Sequence, residues 1–300
     1  MSVEVLSINA LSKSYGNIHA LKGVSFNVPK GSVFGILGPN GSGKTTMLGI
    51  LLNALQPDNG TFSWFNQPPS PETRKRIGTL LETPNFYHYL SAVDNLKITQ
   101  NISHRGNAEC IEQALTTVNL IQRKNSKFST YSLGMKQRLA IGAALLGNPE
   151  VIVFDEPTNG LDPVGILEIR ELIIALAKRG TTIIMASHLL DEVEKVCTHV
   201  AILKTGTLVA TGTVDEVLRN EDIVELSTEN PDKLAPIFNK YPNLSTLKQV
   251  DNKYLQLYFP LGTANLQAIN QHCFNNGLVL NHLLLKKKSL ESKFFELTNN

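Results

Sequence analysis

Residues 32–53 read SVFGILGPNGSGKTTMLGILLN. The apolar run 33–37 predicts a buried strand, and MLGILLN (47–53) has the pattern of a helix start. Between them GPNGSGKT, Gly38 to Thr45, satisfies G-x-x-x-x-G-K-[ST] at every defined position. Strand, glycine loop and helix in that order are the context a phosphate-binding loop requires. Glycines let successive backbone N–H groups converge on phosphate oxygens, and the following helix N-terminus adds favourable partial charge. Gly38, Pro39, Asn40, Gly41, Ser42 and Gly43 therefore form a candidate triphosphate cradle. Lys44 is placed to reach the β- and γ-phosphates, and the Thr45 hydroxyl to ligate Mg²⁺.

Magnesium at phosphates normally takes a carboxylate as well. VIVFDEP (151–157) supplies one, since VIVF is a short, continuously apolar run of the kind buried on both faces in a parallel sheet. Asp155 then falls at the carboxyl end of a buried strand, where ligands gather in open α/β sheets. Glu156 follows directly and is free to polarise a water. The chemistry implied is that of a nucleotide triphosphatase.

Farther out, VEVLSI (3–8) and TFSWF (61–65) read as strands, and HALKGVSFNV (19–28) as short strand-like pieces. From about 85 to 147 the patterns VDNLKI, CIEQALTTVNL and LAIGAALL predict a helical insertion, closed by Gly147, Asn148 and Pro149. The helix GILEIRELIIALAKRG, the strand TTIIMAS and the helix LLDEVEKVC continue an alternation that predicts a parallel, helix-covered sheet. VAILKTGTLVATG predicts a hairpin turning at Thr205–Gly206. Two domains are expected, 1–221 and 222–300. The second reads strand–helix–strand–strand–helix–strand, with helices near 231–240 and 263–275, which suggests a small ferredoxin-like α+β module. KSLESKFFELT (288–298) predicts a last amphipathic helix.

With 300 residues, 42% hydrophobic and 18% charged, the chain has an ordinary globular composition. The net charge of +2 gives no reason to expect nucleic acid as the main partner. The basic runs Arg74–Arg76 and Lys286–Lys288 read as solvated faces. Cys110, Cys197 and Cys273 have no paired or metal-ligand spacing, which predicts a reducing compartment. MSVEVLSINA lacks the order of a signal peptide, and no stretch has the ~18 apolar residues of a membrane span. The expected location is cytoplasmic, with any membrane span supplied by another chain.

The ordered set Tyr15, GPNGSGKTT (through Thr46), YSLGMKQR (131–138), VIVFDEP, TNGLD (158–162) and Ser187–His188 resembles the ATP-binding cassette of ABC transporters. The resemblance spans about residues 5–220. It implies an α/β fold with a P-loop NTPase (RecA-like) core, an antiparallel β subdomain and a helical subdomain, and ATP and Mg²⁺ as ligands. It further implies that Tyr15 stacks on adenine and that Thr46 belongs to the loop. Ser132 and Gly134 would donate to a γ-phosphate held by the opposite subunit. Asp162 would sit at the dimer interface, and His188 would contact the γ-phosphate and attacking water. Ser132 alone also reads as a plain helix cap.

Two motifs depart from the family pattern. Leu133 and Met135 replace a glycine and the glutamine of the usual LSGGQ, and Met135 cannot close a capping box with Ser132. Glu82 stands where a magnesium-contacting glutamine is usual, and a carboxylate can still ligate that ion. These departures, with Phe86, Tyr87 and Tyr89, resemble bacitracin- and lantibiotic-resistance exporter ATPases, as does the tail. The implied function is an exporter ATPase working as a head-to-tail cassette dimer, most simply a homodimer. It would lie peripherally on the cytoplasmic membrane face, drive a separate integral membrane permease and export a peptide antibiotic or other small amphiphile. Alternatives are a soluble ABC ATPase or a nucleotide-gated module uncoupled from transport. The Phe86–Leu90 aromatics read equally as a permease-docking surface or as core.

Overall fold

In the computed structural model, residues 3–81, 85–218, 221–251, 253–286, 290–291 and 293–294 are described. The chain divides into two compact units, Met1–Thr213 and Val214–Asn300. The sequence reading put that change near residue 222.

The first unit opens with a long antiparallel hairpin, β1 (Glu4–Tyr15) and β2 (Ile18–Pro29). β1 runs seven residues beyond the alternation read from the sequence (to Tyr15 rather than Ile8). Ala10 takes up φ +50 at a register shift between Ile8 and Leu11, and the strand then resumes. The hairpin closes through Gly16–Asn17, with Tyr15 paired to Ile18, so Tyr15 sits at its tip. β3 (Val33–Leu37) leads through the glycine loop into α1 (Lys44–Leu51). β4 (Asn59–Trp64) completes a three-stranded sheet in the order β2-β1-β4. The short helix α2 (Pro71–Lys75) and the strand β5 (Ile77–Leu80) follow.

The insertion holds α3 (Ala92–Ser103), α4 (Ala108–Thr117) and α5 (Leu133–Leu145). β6 (Val151–Asp155), α6 (Pro163–Lys178), β7 (Thr182–Ser187), α7 (Leu190–Val196), β8 (His199–Lys204) and β9 (Thr207–Thr213) complete the unit. The main sheet has the order β5-β6-β7-β3-β8-β9, parallel except at its β8–β9 edge. β3, β6 and β7 are buried at every residue, as their unbroken apolar runs require. α1 joins both sheets in one core: Met47, Leu48 and Leu51 pack with Leu6, Phe26 and Trp64. The indole of Trp64 donates to Leu51 O at 2.9 Å, which satisfies its buried N–H at the end of α1.

The aromatic segment after residue 84 divides between core and surface. Phe86 packs edge-on against the buried ring of Phe128, with centroids 5.2 Å apart. Tyr87 and Tyr89 are 50% and 68% exposed and pair with each other. The buried Asn95 side chain fixes this turn, accepting from Tyr87 N–H and donating to Tyr87 O.

The second unit contains α8 (Val214–Leu218), β10 (Glu221–Thr228), α9 (Leu234–Ile237), β11 (Thr246–Gln249), β12 (Leu255–Pro260), α10 (Leu266–Asn275) and β13 (Leu280–Lys286). Its sheet is antiparallel in the order β11-β12-β10-β13, which is the ferredoxin-like arrangement of a βαββαβ order. α9 is shorter than expected. Pro231 opens a 3₁₀ turn ahead of it, and Tyr241 precedes Pro242 and is biased away from helix. Much of the last expected helix lies outside the described residues, of which 290–291 and 293–294 are helical.

Candidate functional site

The glycine loop is shaped by its backbone. Gly41 and Gly43 have φ +79 and +102, values that favour glycine. A Cβ on Gly38 would run into the Ser42 side chain, and one on Gly43 into the carbonyl of Ala20. Lys44 is buried (6% exposed); its Nζ donates to Gly38 O at 2.8 Å and to Pro39 O at 3.4 Å and stands 3.9 Å from Glu156 Oε1. Burial lowers its pKa from the usual 10.5, while the charges of Glu156 and Asp155 pull the other way.

β6 delivers the two carboxylates. Asp155 is buried at the strand's end, and its Oδ2 accepts from the Thr45 hydroxyl at 3.1 Å. Glu156 leaves the strand with φ +50, a left-handed conformation uncommon for a residue with a side chain. Its Oε2 lies 2.8 Å from Nδ1 of His188, just beyond β7, and the His188 backbone N–H points to the same oxygen at 3.4 Å. Adjacent residues thus address different partners, Asp155 the loop threonine and Glu156 the lysine and histidine.

These groups open into a cleft of about 970 Å³ lined by Tyr15, the loop, Asp155 and Glu156. Leu133, Gln137, Asn159 and Thr205 also line it, and sequence reading assigned none of them to the nucleotide. Gln137 offered one signal, a polar residue in a helix that is otherwise apolar toward the core. Its Nε2 donates to Pro157 O at 2.8 Å and ties α5 to the segment after Glu156. Ser132 is the N-cap of α5, accepting from Met135 N–H at 3.3 Å. Neither Ser132 nor Gly134 lines the cleft of its own chain, and a Cβ on Gly134 would meet nothing within 4 Å. Asp162 caps α6, accepting from Gly165 N–H at 2.8 Å, and also stands apart from the cleft lining. Tyr15 is at the cleft and half exposed. Glu82 lies outside the described residues.

The donor set fits a hard divalent cation. Thr45 and Asp155 present two oxygens 3.1 Å apart, near the ~2.9 Å between adjacent ligands of an octahedron with Mg²⁺–O bonds of ~2.0–2.1 Å. Among the described residues no group of three or more His, Cys, Asp or Glu is arranged to hold a metal. Magnesium is commonly held by one or two protein oxygens together with substrate phosphates and water, and the Thr45–Asp155 pair supplies two. The buried Ser42 hydroxyl has no hydrogen-bond partner among the described residues, as expected of a polar group inside a ligand cradle.

The family model for ABC transporters matches residues 21–159. The bacitracin transport ATP-binding protein BcrA of Enterococcus faecalis is 34% identical, over 98% of this chain and 96% of that protein. The lantibiotic transport ATP-binding protein SrtF of Streptococcus pyogenes is 37% identical over 68% of this chain and 89% of that one. Among solved structures, the dimeric post-hydrolysis state of the ATP-binding cassette MJ0796, bound to ADP and Pi, superposes with a TM-score of 0.61. It is 28% identical and the match covers 70% of this chain and 98% of that one.

Proposed function

The chain belongs to the ATP-binding proteins of ABC transporters, and from that premise we propose that it is the Mg²⁺-dependent ATPase of an exporter for a peptide antibiotic or similar amphiphile. The observation that carries the proposal is one cleft in which Lys44, the Thr45–Asp155 pair and Glu156 meet, with Glu156 joined to His188. Likeness over almost the whole length to BcrA, a bacitracin transport ATP-binding protein, supports bacitracin-like cargo.

The ATPase role falls to the first unit, with the second as an accessory module. Tyr15 offers an exposed ring for adenine, and the loop amides with Lys44 hold the triphosphate. Thr45 and Asp155 would hold Mg²⁺, with Glu82 as a further oxygen donor; bound there, the ion neutralises charge on the β- and γ-phosphates. Glu156 accepts the proton of the attacking water. His188, whose Nδ1 lies against Glu156 Oε2, would hold Glu156 in place and contact the γ-phosphate and the attacking water. Neither Ser132 nor Gly134 lines its own chain's cleft, although Leu133 between them does, and both are assigned to a γ-phosphate held by a second copy. Asp162 then lies at the junction between copies. The dimeric MJ0796 cassette supports that assembly.

No helix among the described residues is long and apolar enough to cross a membrane; the proposed export runs through an integral membrane permease driven by this ATPase. Tyr87 and Tyr89, exposed on the helical part, are the surface offered for its docking. The test is affinity capture of the tagged protein from detergent-solubilised membranes, with an ATPase assay on the product. Co-purification of a polytopic membrane protein in near-equal amount is expected. Recovery of an active ATPase alone would leave a soluble enzyme, and an inactive one a nucleotide-gated module.

A further inference from the structure

The hairpin turn between β8 and β9 touches the phosphate loop. Gly206 N–H donates to Ser42 O at 3.1 Å, and Gly206 O accepts from Lys22 N–H at 2.8 Å. Thr205 and Gly206 both have positive φ, +45 and +82, the pair of values a tight two-residue hairpin turn uses. A Cβ on Gly206 would lie 2.7 Å from the carbonyl oxygen of Ala20. The same carbonyl bars a Cβ from Gly43. Ala20 O is therefore held between two glycines, one on the loop and one on the hairpin.

The contact has a consequence for the ligand side of the loop. A trans peptide unit is planar, and its C=O and N–H point in opposite directions. Ser42 O and the N–H of Gly43 belong to one such unit. Fixing the oxygen on Gly206 therefore aims the Gly43 N–H the opposite way, and Gly43 is itself a lining residue of the cleft. We propose that Gly206 is a positioning residue of the nucleotide site, pinning the Ser42–Gly43 peptide so that its amide faces the phosphates. Thr205, at the tip of the same turn, lines the cleft as part of that wall. The inference rests on reading the loop as the triphosphate cradle.

The test compares ADP and ATP affinity of the full chain with that of Gly206→Ala and Gly180→Ala. Gly180 has φ +90 and open space where a Cβ would go, so it carries similar backbone strain away from the cleft. Gly206→Ala is expected to weaken both nucleotides by about tenfold or more, the share of a hydrogen bond to a charged group. KM for ATP should rise more than kcat falls, because ground and transition states lose the amide alike. Gly180→Ala should stay within about twofold, its strain acting on stability. Equal affinities in the two variants would overturn the pin. Should Gly206→Ala fail to fold, amide hydrogen exchange on the wild-type chain decides. ADP is expected to slow exchange at Gly206 together with the phosphate-loop amides. Slowing of the loop alone overturns the pin, whereas slowing of neither overturns the nucleotide reading itself.

Discussion

Oε2 of Glu156 and Nδ1 of His188 stand 2.8 Å apart although 32 residues separate them in the chain. β6 and β7 are neighbours in the parallel sheet, so residues just past their carboxyl ends come together. Glu156 has a left-handed φ of +50 there, and its carboxylate meets the histidine while that of Asp155 meets Thr45.

Glu156→Gln keeps the size of the side chain and removes the proton acceptor. ATP turnover should fall by ~10²–10⁴-fold, the usual contribution of a general base, or ~3–5 kcal/mol of barrier. Nucleotide affinity should change little, because Lys44 still holds the loop carbonyls. Steady-state ATPase assays beside equilibrium binding separate the two quantities. An unchanged turnover would remove Glu156 from the role of base.

Lys44 gives the site a pH dependence whose sign follows from burial. Its folded pKa lies below 10.5, so between that lowered value and 10.5 the unfolded chain binds more protons than the folded one. Stability from this group therefore rises with pH across that window, as the cost of burying the charge disappears. Nucleotide affinity runs the opposite way, because the neutral amine no longer attracts phosphate. Binding should weaken as pH rises toward, and still short of, 10.5, whereas Lys44→Arg should bind with a flatter profile because guanidinium stays charged. Titration calorimetry of ADP at a series of pH values reads both slopes.

The parts of the site legible in the sequence are those built from contiguous residues. Gly38–Thr45 forms a loop because its own glycines and flanking hydrophobic runs require it. Asp155 ends β6 because VIVF is apolar throughout. What pattern alone leaves open is contact between segments. The roles of Tyr15 and His188 came from resemblance, and the structure places Tyr15 at a hairpin tip and His188 against Glu156. The bulge at Ala10 hid the length of β1, since it breaks the alternation that marks a strand. The Gly206–Ser42 contact had only a turn signal, with nothing in local composition to say what the turn touches. The departure at Met135 posed the question of how α5 is held; Ser132 caps it, and Gln137 fastens it to Pro157.

The three thiols report on packing in both units. Burial pushes the Cys273 thiol up to about 11, and that of Cys197 higher still. Cys110, on α4, is only partly buried. The thiolate is the reactive form, so iodoacetamide at neutral pH should label Cys110 first. Cys197 and Cys273 should label at the rate of unfolding, read by peptide mass spectrometry. Fast labelling of Cys197 would contradict the closed packing of Gly35 against α7 and β8, where its sulfur sits.

Ser132 carries two roles that substitution can separate. As N-cap of α5 it holds the Met135 N–H, and loss of a cap costs ~1 kcal/mol. In the proposed dimer its hydroxyl also donates to a phosphate of the opposite chain. Ser132→Ala removes both functions, so Tm should fall slightly and turnover should fall with it. Aspartate caps as well as serine and favours a helix N-terminus, but its negative charge opposes a phosphate. Ser132→Asp should therefore melt near the wild-type temperature and hydrolyse ATP more slowly than Ser132→Ala. Thermal melts beside ATPase assays decide the matter. If Ser132→Asp is both stable and fully active, the cap is the residue's whole function, and the γ-phosphate contact across the dimer falls.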